Sequence, residues 1–388
     1  MFTAQLAPVA YQDPWTATFA ERKATLLSGD PRIAYYYARP DTSTFRYRTF
    51  NMIEALRHAE PDASASWLTA DDGSRAMEVL DEIDLLVVCR ALYTPHVGAL
   101  IARAKSLGKR VLFDVDDLVF DDRYTHLVME TLAQPVEEHS LQFWFGYIAR
   151  SGCTMRLCDG VITTNAFLAE KIRDFSGLPT WTVPNFLNRA QIDLSSRIRA
   201  AKQRSEWARD GQIDIGYFSG TPTHERDFAL IEPALVTLLE SNTAVRLRIV
   251  GFPPQSELLA PFAHRIVTLP LQDFLNLQRV IGDVEISVVP LQDNEFGNCK
   301  SELKYFEAAI VGTITIATPT FTYRAVIDDG CNGYLATAQQ WDDVLRERVA
   351  AVDGVRTVAE RAAADALERY APEAQASALR AALLEESE

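Results

Sequence analysis

Short apolar runs of strand length alternate along this chain with longer stretches whose apolar residues recur every three to four positions. The runs at 32–38, 83–89, 110–115, 160–164 and 180–184 read as strands, and the stretches at 45–58, 95–107, 136–157 and 166–175 read as the helices between them. Strands that alternate with helices of this length predict a parallel sheet covered on both faces.

The rhythm breaks between 185 and 212, where NRAQIDLSSRIRAAKQRSEWARDGQ is polar, charged and without a strand candidate. A second series then follows, with strands at 213–218, 245–251, 284–290, 313–317 and 330–335 and helices at 224–240, 271–281 and 301–311. The Ala-rich tail from 339 is helical in pattern and ends in the acidic EESE. The expected architecture is α/β: an N-terminal Rossmann-like domain over 1–187, a connector at 188–212, a C-terminal Rossmann-like domain over 213–350 and closing helices over 351–388 that fold back on the N-terminal half. Two doubly wound parallel sheets of this kind face a cleft, and ligand is expected there, at the carboxyl ends of the strands.

Composition narrows the partners. A length of 388 residues exceeds what one core organises, which agrees with two domains. With 38 Lys and Arg against 53 Asp and Glu, the net charge of −15 disfavours a nucleic-acid partner and adhesion to anionic lipid. Membrane contact is expected to be peripheral at most, through Arg46, Arg48 and the aromatic run from Phe143 to Tyr147 meeting a lipid-linked acceptor. The apolar runs at 83–89 and 141–149 fall far short of the ~20 residues that span a bilayer. The start MFTAQLAPVAYQDPW lacks the basic opening and apolar core of a secretory signal, and the five cysteines are odd in number and scattered. A cytoplasmic location, at the inner face of the membrane if the acceptor is lipid-linked, is the expectation. Cys153 and Cys158 lie close together, but without a second Cys/His pair they read as buried thiols rather than zinc ligands.

Four segments carry candidate chemistry. In CKSELKYFEAAIVGTITIAT, residues 299–318, Lys300 and Lys304 stand four apart with Ser301 near the expected N-cap, an arrangement suited to a diphosphate. Glu307, one turn further on, can accept hydrogen bonds from a ribose diol. The plainer alternative is a solvated Lys/Glu face. In SGTPTHERD, residues 219–227, Gly220 lets backbone approach a phosphate, with Ser219 beside it and Thr223 or His224 opening the next helix. That loop lacks the spacing of a Walker loop or of G-x-G-x-x-G, and an ordinary turn capped by Thr223 explains it equally well. In VLFDVDDLVFDD, Asp114, Asp116 and Asp117 end an apolar strand and could hold a divalent cation, act as a base or accept from a sugar hydroxyl. No further ligand at a fixed offset completes a metal shell, so the cation is disfavoured. In DTSTFRYRTFNMIEAL, Arg46 and Arg48 follow the first strand, where they contact an acceptor or phosphate, or form a helix's wet face.

Taken in order, TFRYRTFNMIEAL, KRVLFDVDDLVFDD, CDGVITTNAFLAEKI with VPNFLN, IGYFSGTPTHERD, and KSELKYFEAAIVGTITIAT with TYRAVIDDGCNGYLA resemble bacterial glycosyltransferases of the GT-B fold, close to family 4. The resemblance covers most of residues 31–350. It implies a nucleotide-diphosphate sugar bound mainly to the C-terminal domain and a glycan or lipid-linked acceptor bound mainly to the N-terminal one. Glu307 falls on the family's second glutamate and Lys300 where a basic residue faces the diphosphate. Ser219, Gly220, Thr223 and His224 match the glycine-containing loop near the donor, and Asn185 the asparagine of the hinge.

The chain departs from the pattern at several points. Cys299 replaces the first glutamate and Phe186 the glycine after Pro-Asn, Arg226 alone stands for the usual basic pair, and Asp114, Asp116, Asp117 and His126 stand where relatives place a histidine. The implied activity is hexosyl or deoxyhexosyl transfer in bacterial surface polysaccharide synthesis, retaining and without metal or other cofactor. Lys300 and Lys304 would stabilise the leaving diphosphate, and Asp116 or Asp117 would be the base of an inverting variant. A nucleotide-sugar epimerase, a metal-dependent transferase using the DVD segment, and a non-catalytic glycan-binding module are the competing readings.

Overall fold

The apolar runs at the centre of each half become strands because their side chains are buried on both faces, and less buried strands flank them. In the first half the strands are β1 (Arg32–Tyr36), β2 (Ser64–Leu68), β3 (Leu85–Cys89), β4 (Arg110–Asp114), β5 (Gly160–Thr163) and β6 (Thr180–Thr182). In this computed structural model, which describes residues 1–221, 225–252 and 256–385, they form a sheet of order β2-β1-β3-β4-β5-β6 with every neighbouring pair parallel. The second half contributes β7 (Ile213–Ser219), β8 (Val245–Gly251), β9 (Ile266–Leu269), β10 (Ile286–Val289), β11 (Ile314–Ala317) and β12 (Tyr334–Leu335). These form a second parallel sheet of order β12-β11-β10-β7-β8-β9.

Both sheets reverse winding direction once, between β1 and β3 in the first and between β7 and β10 in the second. A crevice opens at such switch points, outside the carboxyl ends of the strands. The fold thus matches the expectation of two doubly wound parallel-sheet domains. The strands β2 and β9 were not anticipated, and both are sheet edges.

The segment expected to be a plain connector is a helix, Arg189–Arg204, opened by a capping box between Asn188 and Gln191. It docks on the helix Phe274–Asp283 of the second domain, where Gln278 Nε2 donates to Ser195 Oγ at 3.0 Å. The ends of the chain cross over. Phe2 bridges to Arg209 and its ring meets Trp207 edge-on at 5.6 Å in the second domain's core. Conversely, the helix Ala376–Leu383 packs against the helix Asn51–Ala59 and β6 of the first domain. Leu187 N donates to Tyr370 O at 2.9 Å beside the hinge. Among the described residues no helix is long and apolar enough to cross a membrane.

Candidate active site in the interdomain cleft

On the second domain, the loop after β10 turns through the short helix Glu295–Asn298, capped by Asn294 Oδ1 accepting from Gly297 N at 2.8 Å. The next helix is Leu303–Ala309, two residues shorter at each end than the expected 301–311, and its N-cap is Glu302. The Glu302 side chain does not cap; its carboxylate instead accepts from the Tyr370 hydroxyl at 2.7 Å. Ser301 therefore stands one residue ahead of the N-cap, and its buried Oγ has no hydrogen-bond partner in the protein. Lys300 lies in the approach to the helix rather than on its first turn, so the expected helical pairing with Lys304 is replaced by convergence of a loop lysine and a helix lysine.

Lys300 Nζ sits 2.9 Å from Asp117 Oδ1 and 4.3 Å from the Phe296 ring centroid. Lys304 Nζ lies over the Tyr217 ring at 5.6 Å. Burial, with Lys300 adding to it, holds the Lys304 ammonium below the ordinary lysine value against the pull of Asp227 and Glu307. Glu307 is buried, and its Oε1 accepts from Tyr47 Oη at 2.5 Å and from Arg46 Nη2 at 3.3 Å. Ser219 ends β7 with its hydroxyl donating to Thr221 O at 2.7 Å. Gly220 follows with open space around it, whereas Gly251, at φ 94°, would place a Cβ 1.9 Å from Ser219 O. Thr223 and His224 lie outside the described residues.

The first domain supplies the opposing wall. Arg90, directly after β3, has φ 47°, a left-handed conformation that costs a non-glycine residue about 1 kcal/mol or more. The turn aims its guanidinium between two carboxylates: Nη1 lies 2.7 Å from Asp116 Oδ1 and 3.1 Å from Thr44 Oγ1, and Nη2 lies 3.3 Å from Asp117 Oδ2. Burial disfavours that charge, but Asp116 and Asp117 outweigh it and hold the guanidinium well above its ordinary value. Arg90 escaped the sequence reading, although a lone cation at the end of an apolar strand was the available signal.

Arg46 and Arg48 part company. They lie in a π-helical turn, Arg46–Phe50, and residues two apart on a helix do not share a face. Arg46 reaches the cleft, stacked over Tyr47 at 4.0 Å and Phe274 at 5.1 Å, with its buried Nη1 lacking a hydrogen-bond partner. Arg48 turns into the sheet and is wholly buried. It grips Asp114 through Nε at 2.8 Å and Nη2 at 2.9 Å, while Nη1 donates to Val183 O at 2.7 Å and Asn185 Oδ1 at 3.3 Å. Arg48, expected to contact an acceptor or phosphate, is thus a tie between β4 and the hinge. Burial raises the Asp114 carboxyl above its ordinary value, with Arg48 pulling it back. Asp114 thus faces Arg48 while Asp116 and Asp117 share Arg90, and among the described residues no group of three or more His, Cys, Asp or Glu is arranged to hold a metal.

Lys300, Lys304, Glu307, Arg46, Asp116 and Asp117 therefore converge, joined by the unanticipated Arg90 and Tyr47. Further cross-cleft bonds flank them: Asn165 Nδ2 to Cys299 O at 2.9 Å, Lys171 to Glu295 at 2.8 Å, and Asn294 Nδ2 to Thr131 Oγ1 at 3.0 Å. Beyond Asn298 lies a cavity of about 480 Å³ lined by Phe167, Asp293, Phe321 and Arg324.

Two six-stranded parallel-sheet domains that meet at such a cleft have the GT-B fold. No protein-family model matches the sequence, and no curated protein matches it. Solved structures do match. HepE from Anabaena, in complex with UDP and glucose, superposes with a TM-score of 0.60 at 13% identity, over 90% of this chain and 98% of that one. Sucrose-phosphate synthase from Thermosynechococcus elongatus gives 0.59 at 14% identity, over 89% and 96%. A glycosyltransferase from Rickettsia africae gives 0.58 at 10% identity, over 91% and 99%. At these identities the likeness establishes the fold, and the structural neighbours are GT-B glycosyltransferases.

Proposed function

We propose that this protein is a glycosyltransferase that moves a sugar from a nucleotide-diphosphate sugar to a hydroxyl of a glycan or lipid-linked acceptor. The observation that carries the reading is the convergence of Lys300, Lys304 and Glu307 on one wall of the cleft, where Lys300 faces Asp117 and Glu307 faces Tyr47 and Arg46 on the other. Breaking the anomeric C–O bond leaves a diphosphate that gains charge. Two lysines in a water-poor cleft stabilise it without a metal, which is the kind of electrostatic contribution that dominates such reactions. Glu307 accepts from the ribose hydroxyls, and Ser219 and Gly220 border the phosphates. HepE has been solved with UDP and with UDP-glucose, which makes UDP the first nucleotide to try.

In this reading the reaction retains configuration at the anomeric carbon. The leaving phosphate takes the acceptor proton, and Asp116 and Asp117 orient the acceptor hydroxyl. Arg48, tied to Asp114, positions the wall rather than touching substrate. The product belongs to bacterial surface polysaccharide, made in the cytoplasm at the inner face of the membrane. The test is release of nucleotide diphosphate from a panel of UDP-, GDP- and dTDP-sugars, with and without acceptors. Replacing Lys300 with Ala should reduce turnover at saturating donor by about a hundredfold. Unchanged turnover removes Lys300 from the mechanism, and an epimerised donor formed without acceptor overturns transfer.

A further inference from the structure

The two domains touch at the groups assigned above to the donor. Tyr47 Oη donates to Glu307 Oε1 at 2.5 Å and Lys300 Nζ pairs with Asp117 Oδ1 at 2.9 Å, and both contacts bridge the first domain to the second. Glu307 is a buried carboxylate, and a buried carboxylate needs hydrogen-bond donors. Tyr47 serves it with a hydroxyl, the same donor a ribose presents. Asp117 offers Lys300 an anionic oxygen, the same partner a diphosphate presents.

We propose that Tyr47 and Asp117 set donor affinity by standing in for the donor: the Tyr47 hydroxyl occupies the ribose position on Glu307, Asp117 occupies the diphosphate position on Lys300, and the nucleotide sugar binds by exchanging with both. This rests on the donor assignment of the preceding subsection. The exchange leaves both carboxylates paired. Asp117 keeps Arg90 at 3.3 Å, and Arg46 keeps its own contact with Glu307 at 3.3 Å. The buried Arg46 Nη1, without a hydrogen-bond partner in the protein, is a donor still available to an incoming ligand. The exchange also accounts for the residue types. Phenylalanine at position 47 would fill the same volume but leave Glu307 with Arg46 alone.

The two stand-ins are separable by ligand. Removing the Tyr47 hydroxyl relieves competition at the ribose, so Tyr47→Phe tightens both UDP and uridine. Asp117→Asn relieves competition at the diphosphate, so it tightens UDP and leaves uridine unchanged. A hydrogen bond to a charged group is the interaction lost in each case, and the expected gain is about tenfold in Kd. The experiment is calorimetric titration of UDP, and ligand-observed NMR titration of uridine, into the full-length protein and the two variants, with melting temperatures as the folding control. Asp117 is partly exposed, so the Asp117→Asn arm stands even if Tyr47→Phe does not fold. The pattern just described supports the exchange. UDP affinity that is unchanged or weakened in both variants, while the unsubstituted protein still binds UDP, overturns it. If the unsubstituted protein binds no nucleotide diphosphate, the donor assignment itself fails and the exchange falls with it.

Discussion

Arg48 is buried beneath the cleft, and its role there can be measured. Arg48 and Asp114 are both essentially inaccessible and joined by two hydrogen bonds of 2.8 and 2.9 Å. Replacing Arg48 with Met leaves Asp114 charged and uncompensated in the sheet, a loss of about 3–5 kcal/mol for a buried pair. Val183 O also loses its donor at 2.7 Å, which adds roughly 1–3 kcal/mol. Asp114→Leu strands the guanidinium in the same way. The double variant Arg48→Met with Asp114→Leu removes both charges together, so its cost should fall well below the sum of the singles, to roughly the 1–3 kcal/mol of the orphaned carbonyl. The assay is urea unfolding followed by circular dichroism, reading the first transition because the two domains need not unfold together. UDP affinity is measured in parallel and should stay within a factor of a few in whichever variants remain folded. A single Arg48→Met that costs less than about 1 kcal/mol while raising the Kd for UDP tenfold would refute the assignment of Arg48 to structure.

Other predictions concern separate parts of the molecule. Lys202 is fully buried, with Nζ 2.9 Å from Gly312 O and over the Phe2 ring at 4.1 Å, and burial pushes its pKa down to about 7 against the pull of Glu285 and Asp283. Between about 7 and the ordinary value of 10.5 the unfolded chain binds a proton there that the folded protein does not, so Lys202 makes stability rise with pH across that window. Denaturation midpoints across the range should show the rise, and Lys202→Met should flatten it; an unchanged slope in the variant contradicts the burial effect. Gly251→Ala forces a Cβ into Ser219 O and requires φ near 94°, so it should destabilise the protein by about 2 kcal/mol or more and weaken UDP binding through the displaced β7 end. Normal stability and UDP affinity in that variant would contradict the close approach. Because the two lysines carry the phosphate charge in this account, turnover is expected to survive EDTA, and abolition reversed by a divalent cation would argue against it.

Legibility in the sequence followed burial. The central strands β3 and β4 announced themselves because they are apolar on both faces, whereas the edge strand β2, SASWL, mixes small polar residues with its apolar ones and gives no run. The connector hid a helix because its exposed face is so polar that it masked the buried set Gln191, Leu194, Ser195, Ile198 and Lys202, although that set has helical spacing. In the cleft, Lys300 and Glu307 drew notice because they lie close together in the sequence, Glu307 on one short helix and Lys300 just ahead of it. Arg90 and Tyr47 could not, since what makes them notable is a partner 26 or 260 residues away along the chain. Arg48 was misplaced for a simpler reason: a cation two residues from Arg46 cannot share its face, and Asp114 was waiting on the other side.

The donor assignment is tested most directly by a crystal structure of the full-length protein with UDP. The account predicts a diphosphate within hydrogen-bond distance of Lys300 Nζ, Lys304 close behind it, and a ribose hydroxyl on Glu307. UDP bound elsewhere, with Lys300 still on Asp117 and Glu307 still on Tyr47, would contradict it.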